Sequence, residues 1–174
     1  MPLEPPLDAE PDAVREALAP LRNDFSVALI APGNPFAIGG VIRVAHSFLA
    51  REVILVAAAD DGYPKASMGM HKYEQIVRWA TVDEFVRAVA GRPLWAIEKD
   101  SARRSIQAVE RFPRGVVLAF GSERFGLPQA VLDAADEVVG IPIYGVNHSL
   151  PLVVAAGIAM HEWARRHYAD GATV

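Results

Sequence analysis

The chain has 174 residues, 52% of them hydrophobic, which suits one compact domain with a full core. It contains no cysteine, which excludes disulfides, thiolate metal sites and a cysteine nucleophile, and no apolar run approaches the eighteen or so residues of a membrane span. The formal net charge is −4, which argues against a broad basic coat for nucleic acid. The acidity is concentrated at the start. Glu4, Asp8, Glu10, Asp12, Glu16 and Asp24 outweigh Arg15 and Arg22 over residues 1–24, and residues 25–174 are neutral. Local contact with a polyanion is therefore compatible with the charge, but a wide electrostatic footprint is not.

Residues 1–10 are proline-rich and acidic and lack the basic and apolar regions of a signal peptide, so a cytoplasmic location is expected. Pro11 can open a short helix that runs to about Ala19 and is ended by Pro20. From there apolar strands alternate with helical patterns. Residues 26–31 read as a buried strand, followed by the loop Pro32-Gly33-Asn34-Pro35 and a helix over about 38–49. Ile38, Val41, Ile42, Ala45, Phe48 and Leu49 form that helix's apolar stripe, and Arg43 falls off it. Strands are expected at 53–58, 76–79, 94–97, 116–120 and 138–141, with helices at 83–90, 101–109, 128–135 and 150–167. The alternation predicts an α/β fold, a mostly parallel sheet with helices on both faces. Ligands in such sheets sit at the carboxyl ends of strands, which directs attention to the loops after Ala31, Ile97, Phe120 and Ile141.

Several familiar sites are absent. The sequence has no phosphate loop of the G-x-x-x-x-G-K-[ST] type and no G-x-G-x-x-G after the first strand. Ser122 lies in Gly-Ser-Glu, outside any nucleophile elbow. His161-Glu162 begins like a zinc-protease helix, but Arg165 stands where the second histidine would be needed. The histidines form no ligand cluster.

Three other segments stand out: Asn34-Pro35-Phe36-Ala37-Ile38-Gly39-Gly40-Val41-Ile42-Arg43, then Phe120-Gly121-Ser122-Glu123-Arg124-Phe125-Gly126-Leu127, then Ile141-Pro142-Ile143-Tyr144-Gly145-Val146-Asn147-His148-Ser149-Leu150-Pro151. In this order they resemble the three motifs of the SpoU/TrmH branch of the SPOUT RNA 2′-O-ribose methyltransferases, over about residues 25–168. The resemblance implies a SPOUT domain over 25–174 behind an acidic extension (1–24), with a C-terminal trefoil knot. It implies a homodimer that transfers methyl from S-adenosyl-L-methionine to a ribose 2′-oxygen of tRNA or rRNA. No metal is implied, because the sulfonium is already a strong leaving group, and no membrane is involved.

The resemblance also carries residue roles. Arg43, Glu123 and Ser149 match active-site positions; Ala96, Ile97, Glu98, Gly121, Ile141, Ser149 and Leu150 match the cofactor pocket. A guanidinium is a very poor base, so Arg43 suits positioning and charge stabilisation. Gly121 would let a ligand approach the backbone closely, or serve an ordinary turn. Ser149 can equally cap the last helix, and Glu123 can be a plain loop carboxylate. The apolar face of that helix, with Val153, Val154, Ile158, Met160 and Trp163, can supply an interface or join the core. Basic groups at Arg103, Arg104, Arg111 and Arg114, and at Lys65, His71, Lys72 and Arg78 beside Tyr73, are candidate phosphate contacts or solvated faces. Ala37 and Pro151 stand where the family carries asparagines, with Asn34 and Asn147 nearby as possible substitutes. That departure keeps open an alternative, a catalytically weakened module that binds cofactor or RNA without turnover.

Overall fold

The computed structural model describes residues 9–58 and 62–168. The strands are β1 (Phe25–Ile30), β2 (Glu52–Val56), β3 (Ile76–Trp79), β4 (Leu94–Ile97), β5 (Arg104–Ser105), β6 (Val116–Phe120) and β7 (Glu137–Gly140). They form one sheet in the order β3-β2-β1-β6-β4-β7-β5, and every neighbouring pair is parallel. The helices are α1 (Pro11–Leu18), α2 (Pro35–Ser47), α3 (Val82–Ala88), α4 (Gln129–Ala134) and α5 (Leu152–His167). None of the described helices is long and apolar enough to cross a membrane.

Parallel strands require crossovers, which lay helices on both faces and bury the sheet between them. β1 shows the consequence, since all six of its residues are buried. Its alternate side chains Phe25, Val27 and Leu29 join α2 and α5 on one face, while Ala28 and Ile30 join α3 and α4 on the other. Buried Ser26 is satisfied by Glu52, to which it donates at 2.9 Å, and by Arg92, which donates to it at 2.6 Å.

Local chemistry sets the helix starts. Asn34 caps α2 by accepting from Phe36 N at 2.9 Å, with Pro35 in the first turn. Thr81 and Glu84 form a capping box on α3. At the far end of α5, burial alone would raise the Glu162 carboxyl, but hydrogen bonds and charge from Arg165 and Arg166 outweigh it and hold the group below the usual carboxylate range.

Strands β1 and β2 stop earlier than the apolar runs suggest, because Ala31 and Ala57 turn to φ 47° and 48° and break the ladder. The helix expected at 101–109 does not form. The segment instead pairs with β7 as the two-residue β5 and then makes a single 3₁₀ turn over Ile106–Ala108. Edge pairing wins there because Arg103 N donates to Val138 O, Arg104 bridges to Glu137 at 3.0 Å and its guanidinium lies over the Trp95 ring. Pro151 delays α5 to Leu152, since a residue preceding proline is held in extended conformation.

The segment before β1 is tied to the sheet's α2 side. The Glu74 carboxylate, with no exposed side-chain surface, accepts from Arg22 at 2.8 Å and meets His46 Nδ1 at 2.8 Å. Arg22 also donates to the carbonyls of Ala50 and Tyr73. Removing one partner of a buried pair strands the other's charge. Arg22→Met should therefore lower unfolding free energy by about 3 kcal/mol, read from urea melts.

Candidate functional site

The carboxyl ends of β4, β6 and β7 open on one edge of the sheet. The loops that follow them close with the start of α5 around a cavity of about 460 Å³, in the range of small-molecule sites. Ile97, Phe120, Leu127, Ile141 and Leu152 give it apolar walls. Glu98, Asp100 and Glu123 bring carboxylates to it, and Lys99 and Arg124 bring cations.

The turn after β6 organises this cavity. Ser122 and Gly126 form an antiparallel bridge, Gly126 N donates to Ser122 O at 2.9 Å, and Phe125 N donates to Ser122 Oγ at 3.0 Å. The turn folds back so tightly that a Cβ on Gly121 would lie 2.0 Å from the carbonyl carbon of Gly126. The bare backbone at Gly121 is thus demanded by the turn itself. Gly126 has φ +67°, and a Cβ there would sit 2.7 Å from Glu98 Oε2.

Glu98 ties the turn to the neighbouring loop. One carboxylate oxygen accepts from Lys99 N at 2.8 Å and the other from Leu127 N at 3.3 Å. Glu123 reaches across to the third element, where its Oε1 accepts from Leu152 N at 3.5 Å, in the first turn of α5. A carboxylate at a helix N-terminus also meets the positive end of the helix dipole. Ser149 does not cap α5: Pro151 holds the cap position without a side-chain bond, and the Ser149 carbonyl accepts from Asn147 Nδ2 at 2.8 Å.

Comparison with known proteins decides the lineage. Residues 24–161 match the model of the SpoU rRNA Methylase family. The chain belongs to that family. It is 29% identical over 155 residues to the tRNA (cytidine(34)-2′-O)-methyltransferase of Methylovorus glucosotrophus, covering 85% of this chain and 99% of the relative. It is 33% identical over 138 residues to the 23S rRNA (adenosine(1067)-2′-O)-methyltransferase of Streptomyces laurentii, covering 75% of this chain but only 50% of that enzyme. The crystal structure of an AdoMet-bound rRNA methyltransferase from Sinorhizobium meliloti superimposes with a TM-score of 0.76 at 30% identity, over 88% of this chain and 60% of the other. The chain therefore spans nearly the whole of the first relative, half of the second and three-fifths of the third.

In this SpoU family member, Ile97, Glu98, Gly121, Glu123, Ile141, Ser149 and Leu150 all line the cavity. Ala96 does not; strand alternation turns it into the core on the α3–α4 side. Arg43 is exposed on α2 and does not line the cavity, nor does the loop after Ala31. Sequence reasoning missed Leu152, whose amide Glu123 holds, and Phe125, which lines the mouth while 79% exposed. The signal for Phe125 was present as a large aromatic in a polar, glycine-bounded turn. On α5, Met160 and Trp163 belong to the core, which leaves Val154 as the exposed member of the proposed apolar face, with Val153 and Ile158 half-buried. Of the second basic group, His71 is engaged with Ser67 Oγ at 2.7 Å, and Arg78 lies over the Tyr63 ring.

Gly121→Ala should force the turn apart. Overpacking of this kind costs about 1–3 kcal/mol, measurable as a lower melting temperature, and the amides of residues 122–127 should exchange hydrogen faster than in the parent.

Proposed function

We propose that this protein is a cytoplasmic homodimeric enzyme that transfers a methyl group from S-adenosyl-L-methionine to a ribose 2′-oxygen of tRNA or rRNA. The observation that carries this reading is that the loops after β4, β6 and β7 together build one cavity in a chain of the SpoU family. The cavity's chemistry fits the cofactor. Apolar walls from Ile97, Phe120 and Ile141 suit a purine, and the carboxylates of Glu98, Asp100 and Glu123 suit a cationic methionine part. When bound, S-adenosylmethionine supplies a methyl group activated by its positively charged sulfur.

Ile97, Glu98, Gly121, Ile141, Ser149 and Leu150 would hold the cofactor, with Ala96 backing them from the core. Glu123, already fixed on the Leu152 amide, keeps the third loop and α5 against the cavity. Ser149 presents an exposed hydroxyl at the same rim. Arg43 would orient the ribose and a flanking phosphate and stabilise charge as the 2′-oxygen gives up its proton. Its guanidinium has no hydrogen-bond partner among the described residues and lies outside the cavity of its own chain. This supports delivery from a second subunit. The catalytic domain is taken as 25–174, with 1–24 as an acidic extension. A C-terminal trefoil knot is part of the proposal. It is supported by the path of the chain, which leaves β7 near one sheet edge, passes the 121–127 turn and returns to lay α5 against α2.

A second reading, a module that binds without turnover, draws support from two residues. Ala37 is buried and apolar, and Pro151 offers no amide hydrogen. Asn34 and Asn147, their nearest candidate substitutes, are committed to Phe36 N and the Ser149 carbonyl. Calorimetry with S-adenosylmethionine followed by tritiated-methyl transfer to total tRNA and rRNA separates the two. Incorporation into ribose 2′-oxygens supports the enzyme; tight binding with no incorporation into any RNA supports the module.

Arg43→Ala should reduce methyl transfer by about 10²- to 10³-fold, as loss of a transition-state donor does. Its cofactor affinity by calorimetry should stay within about twofold of the parent, because Arg43 lies outside the cavity.

A further inference from the structure

Phe125 is 79% exposed at the mouth of the cavity. A phenyl ring left in water forgoes the stabilisation that burial would give it, and nothing in the turn requires an aromatic side chain there. The backbone of Phe125 is held by Ser122 Oγ, and the turn is closed by the Ser122–Gly126 bridge, by the contact of Gly121 with Gly126 and by the Glu98 tether to Leu127. The ring is thus presented on a rigid support. Arg124 places its guanidinium over the ring, 5.0 Å from the centroid, and it makes no ion pair with a carboxylate among the described residues.

Such an aromatic plate with an adjacent guanidinium matches the way proteins hold splayed-out RNA bases. Every base has a π-face, so stacking needs no groove and tolerates any sequence. A guanidinium resting on a ring keeps its edge N–H groups available for a phosphate. A rigid plate also loses little conformational freedom when a base settles on it. We infer that Phe125 is the platform on which an unpaired base of the RNA substrate stacks, with Arg124 contacting a neighbouring phosphate. The inference rests on the methyl-transfer reading of the cavity beside it and adds how the substrate strand is gripped there.

The test compares the parent, Phe125→Ala and Phe125→Trp, with unfractionated tRNA and rRNA as methyl acceptors and S-adenosylmethionine calorimetry alongside. Loss of one base–aromatic stack should raise the KM for RNA in Phe125→Ala by about ten- to a hundredfold. Cofactor affinity should remain within about twofold, and Phe125→Trp should restore the KM to within about threefold of the parent. Because the side chain is exposed, the melting temperature of Phe125→Ala should be unchanged. An unchanged KM for RNA in Phe125→Ala overturns the inference while leaving the methyl-transfer reading intact. So does a parallel loss of cofactor affinity, which would make Phe125 a wall of the cofactor pocket, or a defect that tryptophan fails to repair. A parent protein that binds S-adenosylmethionine and methylates no RNA removes the proposed function and this inference with it.

Discussion

The close approach of Gly121 to Gly126 is the constraint on which the rest of the site depends. Only a residue without a side chain lets the chain leaving β6 fold back on itself at this separation. That turn sets where Glu123 and Phe125 project and brings Leu127 within reach of Glu98, which in turn fixes the loop after β4. Glu123 then ties the same turn to the first residue of α5. Two carboxylates and two glycines thereby join three loops that are far apart in sequence. The cavity is what remains between them.

The sheet explains why the cavity lies where it does. Seven parallel strands place all their carboxyl ends on one edge, and β4, β6 and β7 are close enough in the order for their loops to meet. The same architecture separates Arg43 from the cavity. α2 lies beside α5 on one face, and Arg43 points off its apolar stripe into solvent while Ile38, Val41 and Ile42 go to the core. In the proposed enzyme the second subunit resolves this separation, so catalysis and assembly become one requirement. The buried Glu74 pair has a related effect at a distance. It fastens Arg22 to the carboxyl half of α2, the helix that bears Arg43, through His46.

Much of this was legible in the sequence because apolar runs and strand-end loops are local signals. The strands at 76–79, 94–97 and 116–120 and the Ile38, Val41, Ile42 and Ala45 stripe of α2 follow directly from residue spacing, whereas α2 ends at Ser47 and Leu49, at φ 47°, lies beyond it. Residues 101–109 misled because Ile106 and Val109 have helical spacing, while what decides their conformation is pairing with β7, some thirty residues away. Alanine gives no hint of a positive φ, so the early ends of β1 and β2 at Ala31 and Ala57 were illegible. Ala96 fell on the wrong side of its strand for the cavity, whereas its neighbour Ile97 fell on the right one. Glu98 was legible as a strand-end residue, but its grip on Leu127 joins positions separated by 29 residues. No local pattern encodes that contact.

In the proposed enzyme the cavity framed by the Gly121 turn holds S-adenosylmethionine, and a second subunit supplies the guanidinium. A crystal structure of the full chain grown with S-adenosylmethionine tests this arrangement most directly. The expected electron density is a nucleoside seated among Ile97, Phe120 and Ile141, in a two-fold dimer that brings Arg43 of the partner subunit to the methyl group. A nucleoside bound elsewhere, or a dimer that leaves both Arg43 side chains remote from the cavity, would contradict it.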